Sequence, residues 1–169
     1  PLAMTLPPGS TFKLVTAAAA LESGKYVADS QLPGPTEINL PGTDVQLGNW
    51  SGKSCGAGDV TTLQAALEIS CNTAFAWLGM ELGADAIDEQ AKKFGFESEF
   101  SVPMTSAISR VPVDPNKPQT AMSAIGQFDV RATVLQMAMV AAGIANDGVV
   151  MNPYLVSQVL GPDLTVLQN

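Results

Sequence analysis

Apolar residues recur along the chain with the spacing and length of helices. The segment 10–22 is apolar on almost every side, which predicts a helix buried in the interior that ends before Gly24. Four later segments have helical length and are bounded by capping residues or by glycine. They predict helices over residues 61–69, 73–82, 85–94 and 133–145.

Gly, Pro, Asn and Asp are concentrated in two long stretches between these helices. Residues 30–58 contain only short apolar runs and are predicted to form loops with one small hairpin. Residues 98–120 contain four prolines and are predicted to form a long loop. At the end of the chain, apolar runs flank a Gly-Pro-Asp turn, which predicts a terminal hairpin over 154–167.

The composition indicates a globular chain and argues against several classes of function. The 169 residues are 46% hydrophobic and 14% charged, as expected for one globular domain. The net charge of −8 argues against binding to nucleic acid, or to a membrane through a basic patch. The chain has no histidine, which excludes a Ser-His-Asp hydrolase and a histidine-ligated metal site.

Neither a membrane span nor a leader is evident in the sequence. The most apolar stretch, 132–145, falls short of the roughly 18 residues that a span requires. The chain opens on Pro1-Leu2-Ala3, without an initiator methionine or a basic leader. We therefore expect an excised piece of a longer protein, from which any membrane anchor has been removed.

Candidate chemistry begins at Ser10, which follows Gly9 and precedes Lys13 by three residues. Residues i and i+3 share one face of a helix, so the Ser10 hydroxyl and the Lys13 amine are expected to touch. Lys13 must be neutral to act as a base, and burial among apolar neighbours lowers the pKa of a lysine. The Ser10 N–H lies at the helix start, where unpaired N–H groups and the helix dipole stabilise an oxyanion.

A second pair, Ser70 and Asn72, lies at the break between two predicted helices. An isolated Ser-x-x-Lys is weak evidence, since a chain of this length contains about one by chance. Here the motif opens a buried helix, follows a glycine and is accompanied by Ser-x-Asn. The combination indicates a serine acyl-transfer site with lysine as its base, in which Ser70 passes a proton and Asn72 binds a substrate amide. Helix capping is the alternative role of Ser70 and Asn72.

These motifs resemble those of the transpeptidase domain of class B penicillin-binding proteins, which cross-link peptidoglycan. The segment Pro-Gly-Ser-Thr-Phe-Lys at 8–13 is similar to the first motif, and Glu-Ile-Ser-Cys-Asn-Thr-Ala-Phe at 68–75 is similar to the second. The stretch that follows them in the family is similar to residues 125–127, 133–138 and 145–148. Cys71, inside the second motif, is similar to the actinobacterial members of the family.

The resemblance implies an α+β fold of the β-lactamase and transpeptidase type. This chain would hold mainly the helical part and a terminal β-hairpin of a helix–sheet–helix domain. Ser10 would be the acylated nucleophile and Lys13 its base. Ser70 would relay protons, and Asn72 would bind the donor peptide.

The implied substrate is a peptidoglycan stem peptide that ends in D-Ala-D-Ala, and β-lactams would acylate the same serine. The resemblance implies no metal and no organic cofactor. It places the site in the cell envelope, at the outer face of the cytoplasmic membrane, with membrane contact only through an anchor outside this chain.

The sequence departs from the family pattern at two points. The third motif, Lys-[Ser/Thr]-Gly, is absent, so residues 1–169 are expected to be a partial domain. It would lack the strand that carries this motif as well as an N-terminal anchor and pedestal. The chain alone would then be inactive, and the complementary part of the same domain would be a partner. Phe128 stands where the family usually has glycine after Ile-Gly-Gln, which leaves the backbone geometry of that turn open.

Three further expectations concern the cysteines, Trp50 and the alternative functions. Cys55 and Cys71, the only cysteines, are expected to form a disulfide because the implied compartment is oxidising, with two buried free thiols as the alternative. Trp50, in a glycine-rich loop, is expected to pack against the helices rather than to line a peptide groove. A serine β-lactamase of the same fold and a non-catalytic β-lactam sensor or binding module are the alternative functions.

Overall fold

The computed structural model describes residues 2–100, 102 and 104–168. Within them, six α-helices alternate with loops and short strands. The helices are α1 (Lys13–Glu22), α2 (Leu63–Glu68), α3 (Asn72–Leu82), α4 (Ala84–Lys93), α5 (Lys117–Ser123) and α6 (Val134–Ala145). The strands are β1 (Gln31–Pro33), β2 (Glu37–Asn39), β3 (Gln46–Gly48), β4 (Val60–Thr62), β5 (Val159–Leu160) and β6 (Val166–Gln168). Two short 3-10 helices, Gly9–Phe12 and Ala57–Asp59, directly precede α1 and β4.

Helix α3 lies at the centre of the helical part and packs against α1, α4 and α5. Its side chains Phe75 and Leu78 are fully buried, and the removal of this apolar surface from water stabilises the packing. Gly79 allows α5 to come close, because a Cβ at this position would collide with Ala124. Helices α1 and α3, which begin at the candidate residues Lys13 and Asn72, are thereby held in one core.

The residue just before α1, Phe12, anchors the start of that helix. Its ring is fully buried and meets Phe96 edge to face, with ring centroids 5.6 Å apart. The predicted helix over 10–22 is therefore confirmed, although its first turn is a 3-10 helix and the α-helix proper begins at Lys13. Burial of Phe12 holds the adjoining Ser10 at a fixed point on the molecular surface.

The strands form two-stranded antiparallel pairs. The pair β2–β3, with Ile38 opposite Leu47, confirms the small hairpin predicted within residues 30–58. The pair β1–β4, with Leu32 opposite Thr61, joins segments that are distant in the sequence. Local patterns did not predict this second pair, because a local pattern does not encode pairing between strands that are distant in the sequence.

Helix α5 contradicts the prediction of an uninterrupted loop over 98–120. It begins at Lys117 behind a capping box, in which the Asn116 side chain accepts from the Gln119 N–H and the Gln119 side chain accepts from the Asn116 N–H. Pro118 lies in the first helical turn, where its missing N–H costs no hydrogen bond. The proline that we interpreted as a loop signal is thus part of a helix start.

The last pair, β5–β6, places Leu160 opposite Val166 and confirms a terminal hairpin, shorter than the predicted 154–167. Apolar side chains of this hairpin are exposed, among them Leu164 and Leu167. Among the residues described here, no helix combines the length and the hydropathy needed to cross a membrane.

Candidate active site

The turn that presents Ser10 is held by two glycines. Gly9 has a φ of 56°, and its N–H donates to the Gly126 carbonyl at 3.0 Å. Gly126 has a φ of 72°, and a Cβ there would collide with the Gly9 backbone. The close approach of these two backbones leaves Ser10 exposed at the beginning of the first helix.

Lys13 is the meeting point of the candidate residues. Its side chain is only 1% exposed, and its Nζ lies 3.1 Å from Ser10 Oγ and 2.9 Å from Ser70 Oγ. The same nitrogen donates to Asn72 Oδ1 at 2.7 Å and to the Ser70 carbonyl at 2.8 Å. The structure therefore brings together all four residues that the two motifs predicted.

The chemistry of these contacts orients the amine. The carbonyl oxygens of Ser70 and Asn72 can only accept hydrogen bonds, so they occupy two Nζ hydrogens. A neutral lysine has only two hydrogens on Nζ, so its lone pair is left to the two hydroxyls. The Ser10 hydroxyl can donate to that lone pair, which is the arrangement that a general base requires.

Burial supplies the driving force for the neutral form. Desolvation lowers the pKa of Lys13 from 10.5 to about 8. The Phe75 ring lies within cation–π distance, with its centroid 5.8 Å from Nζ, and the desolvation outweighs this contact. At pH 7, about a tenth of Lys13 is therefore available as a free amine.

Ser70 and Asn72 are placed by the break between α2 and α3. Ser70 has a φ of 58°, a left-handed backbone that is uncommon for residues other than glycine. Asn72 is the first residue of α3, and the N-cap position is held by Cys71. Neither Ser70 nor Asn72 occupies the capping position that was the alternative explanation for this motif.

A disulfide joins Cys55 to Cys71, as predicted. It connects the loop before β4 to the residue between Ser70 and Asn72. The second motif is consequently tied to that loop by a covalent bond.

A cleft of about 600 Å³ opens in front of these residues. Its lining includes Ser10, Ser70 and Asn72, and also residues of the loop after β3. Trp50 belongs to that lining and is 98% exposed, so the expectation that it packs against the helices is wrong. Its neighbours in the loop turn toward the second motif, and Trp50 itself is left on the rim of the cleft.

Sequence reasoning missed two residues of this cleft. Asn49 forms hydrogen bonds with the first turn of α3, and Gln127 lines the cleft beside Ser10. Gln127 lies in the Ile-Gly-Gln segment that carries part of the family resemblance, which was the available signal. Asn49 had no such signal, because its partners in α3 are more than twenty residues further along the chain.

Phe128 adopts a φ of 60°, a conformation that favours glycine. The substitution of phenylalanine at this position has therefore not moved the turn out of the left-handed region. The ring is 45% exposed, and the backbone strain is tolerated beside the Gly126 contact that supports the turn of Ser10.

The match to known proteins covers almost the whole chain. Residues 2–168 match the family described as the penicillin binding protein transpeptidase domain. The chain belongs to this family, and the resemblance found in its sequence is confirmed.

Among its relatives, the peptidoglycan D,D-transpeptidase PbpA of Mycobacterium tuberculosis is 45% identical over 161 residues, which cover 95% of this chain and 33% of the relative. MrdA of Escherichia coli, also named a peptidoglycan D,D-transpeptidase, is 29% identical over 160 residues, covering 88% of this chain and 25% of the relative. The chain spans about a third of the length of the first of these relatives. The predicted similarity to actinobacterial members is confirmed.

A solved structure gives the same answer for the fold. The penicillin G acyl-enzyme complex of penicillin-binding protein A from M. tuberculosis superposes with a TM-score of 0.94 at 43% identity, covering 99% of this chain and 38% of that one. The predicted fold of the β-lactamase and transpeptidase type is therefore confirmed.

Proposed function

We propose that this chain is the part of a serine D,D-transpeptidase that carries the nucleophile and its base. The observation that carries the proposal is the contact set of Lys13, whose Nζ reaches Ser10 Oγ, Ser70 Oγ and Asn72 Oδ1 within 3.1 Å. The relatives named peptidoglycan D,D-transpeptidases and the β-lactam acyl-enzyme structures support it. The substrates would be peptidoglycan stem peptides that end in D-Ala-D-Ala, and β-lactams would react with the same serine.

In the proposed acylation, the Lys13 lone pair takes the hydroxyl proton of Ser10 as Oγ attacks the carbonyl carbon of the penultimate D-Ala. The carbonyl oxygen becomes an oxyanion, which the Ser10 N–H at the helix start would stabilise. The C–N bond then breaks, and the terminal D-Ala leaves with a proton relayed from Lys13 through Ser70. Asn72 would hold the donor peptide through an amide hydrogen bond.

The acyl-enzyme is resolved in the reverse sense. An amine of a neighbouring stem peptide attacks the ester carbonyl and gives up a proton to the Lys13 amine. Lys13 then returns a proton to Ser10 Oγ as the ester bond breaks. The net result exchanges one peptide bond for another, so no cofactor has to supply electrons or energy.

The site proposed here has two of the family's three motifs. The remaining one, Lys-[Ser/Thr]-Gly, lies on a core strand in the family, and we propose that further polypeptide of the same domain supplies it. The exposed apolar side chains of the β5–β6 hairpin support the presence of such a packing partner. The complete protein would act in the cell envelope, at the outer face of the cytoplasmic membrane.

The test is labelling of the intact protein with a fluorescent penicillin. We expect the wild-type protein to be labelled and Ser10→Ala to remain unlabelled. Ser51→Ala, a matched control serine that lines the same cleft, should label like the wild type. Equal labelling of the Ser10→Ala variant and the wild type would refute the proposal.

The same experiment separates the alternatives. A transpeptidase adduct should persist for minutes or longer, whereas a β-lactamase of the same fold would hydrolyse it quickly. A sensor would be labelled but would release no D-Ala from a stem-peptide analogue. A purely structural module would not be labelled at all.

A further inference from the structure

The first turn of α3 requires hydrogen-bond acceptors that its own sequence does not provide. The first N–H groups of a helix have no intrahelical partner, and Ser, Thr, Asp or Asn usually caps them. Here the N-cap residue is Cys71, whose sulfur is a weak acceptor and is held in the disulfide. It lies 3.4 Å from the Ala74 nitrogen, which leaves the N–H groups of Asn72 and Thr73 to another residue.

Asn49, in a loop distant in the sequence, provides the acceptor for these two N–H groups. Its Oδ1 accepts from the Asn72 N–H at 3.0 Å and from the Thr73 N–H at 3.1 Å. Its Nδ2 donates to the carbonyls of Pro35 and Lys53, each at 2.9 Å. Both ends of the Asn49 amide are therefore engaged, which fixes the orientation of the side chain.

Gly48, the residue before Asn49, holds the side chain of Asn72. The Gly48 carbonyl accepts from Asn72 Nδ2 at 3.2 Å. An amide whose nitrogen is bound in this way must direct its oxygen elsewhere, and Asn72 Oδ1 accepts from Lys13 Nζ at 2.7 Å. Gly48 and Asn49 thus hold the side chain and the main chain of Asn72 respectively.

We propose that Asn49 is a positioning residue, which sets Asn72 against Lys13 and thereby keeps the Lys13 amine aimed at Ser10. Asn49 acts through Asn72 and not on the reacting atoms. The proposal rests on the function proposed above, because it assigns Asn49 a role in the reaction of that site.

A merely structural cap is the competing explanation, and the chain contains a matched control for it. Asn116 caps α5, where its Oδ1 accepts from the Gln119 N–H at 3.0 Å. Asn116→Ala therefore removes a helix cap of the same chemical kind, but it breaks no contact with Lys13 or with the second motif.

The experiment measures acylation by labelled penicillin, as a function of pH, for the intact wild-type protein, Asn49→Ala, Asn49→Asp and Asn116→Ala. We expect Asn49→Ala to lower the limiting acylation rate by about tenfold or more, since a small misplacement of catalytic groups is costly. Asn116→Ala should lower Tm comparably and leave that rate within about twofold of the wild type.

Asn49→Asp supplies the readout that a structural role would not move. Its carboxylate can still accept from the Asn72 and Thr73 N–H groups but cannot donate to the carbonyls of Pro35 and Lys53, so only part of the limiting rate should return. The added negative charge favours the ammonium form of Lys13, so the pH midpoint of acylation should move upward.

An Asn49→Ala protein that acylates with the wild-type rate and pH midpoint would overturn the proposal. So would a loss of rate in Asn116→Ala that equals the loss in Asn49→Ala.

A second measurement keeps this test separate from the function itself. If wild-type protein is not acylated, the proposed function fails, and NMR titration of the Lys13 side chain then tests Asn49 directly. An altered Lys13 pKa in Asn49→Ala, together with faster amide exchange at Asn72 and Thr73, supports the positioning role. An unchanged pKa refutes it.

Discussion

The two turns that form the site are held in place by different forces. The first turn, Gly9–Phe12, is called the nucleophile turn after the role proposed for Ser10. It is anchored by apolar packing, through the buried ring of Phe12 against Phe96, and by the backbone contact between Gly9 and Gly126. The second turn, residues 70–72, is anchored by hydrogen bonds from Asn49 and by the Cys55–Cys71 disulfide. The first turn is anchored in the core through Phe12, whereas the geometry of the second depends on a polar loop and on an oxidised pair of cysteines.

The backbone of the two turns sharpens this difference. Gly9 and Ser70 have nearly the same positive φ, 56° and 58°. The nucleophile turn places a glycine in the left-handed conformation and leaves its serine in the helix start. The second turn puts Ser70 itself in that conformation, which costs about 1–2 kcal/mol. We infer that the external supports of the second turn offset this strain.

The largest expected effect comes from removing the disulfide. The bond closes a loop with a sequence separation of 16, so its loss should lower the free energy of unfolding by about 3 kcal/mol. Because the bond reaches only the second turn, Asn72 should loosen while the packing around Phe12 is kept. Chemical denaturation and amide exchange of the Cys55→Ala/Cys71→Ala variant measure the two effects.

The matched control for this variant is the oxidised wild type in the same buffer. Equal loss of amide protection at both turns would contradict the distinction between a packed turn and a tethered one.

The sequence predicted the local parts of both turns and missed the contacts between them. Ser10 and Lys13 are three residues apart on one helix, so their contact follows from helix geometry. Asn49 binds the first turn of α3, and Gly126 contacts the backbone of Gly9. Both contacts join residues that are distant in the chain, and no local pattern encodes such pairs. The prediction that Trp50 packs against the helices was wrong for the same reason. Its exposure depends on the contacts that the rest of its loop makes with distant residues.

The next effect is a pH dependence at Lys13, where the two turns meet. With the pKa of Lys13 lowered to about 8, the fraction of neutral amine rises about tenfold between pH 7 and pH 9. The rate of acylation by labelled penicillin should rise by a similar factor and level off above that range. A rate that is flat from pH 7 to pH 9 would show that Lys13 is already neutral or is not the base.

The same group makes stability depend on pH. The folded pKa of Lys13 lies below the unfolded value of 10.5, so the unfolded chain binds more protons between about pH 8 and pH 10.5. The burial penalty is therefore complete below about pH 8, and this contribution to stability increases as the pH rises through that window. Lys13→Met should remove this increment, while the titration of the other groups remains as a common background.

The smallest expected effect concerns the strain at Phe128, beside the nucleophile turn. Its φ of 60° costs little in glycine, so Phe128→Gly should be more stable than Phe128→Ala by about 1 kcal/mol, measured by denaturant unfolding. The alanine variant is the matched control, because both changes remove the ring and only alanine keeps a Cβ. Since Gly126 rather than Phe128 makes the backbone contact with Gly9, neither variant should alter labelling of Ser10. A loss of labelling in the glycine variant would mean that the restricted backbone at residue 128 helps to position Ser10. The nucleophile turn would then depend on backbone rigidity as well as on the packing of Phe12.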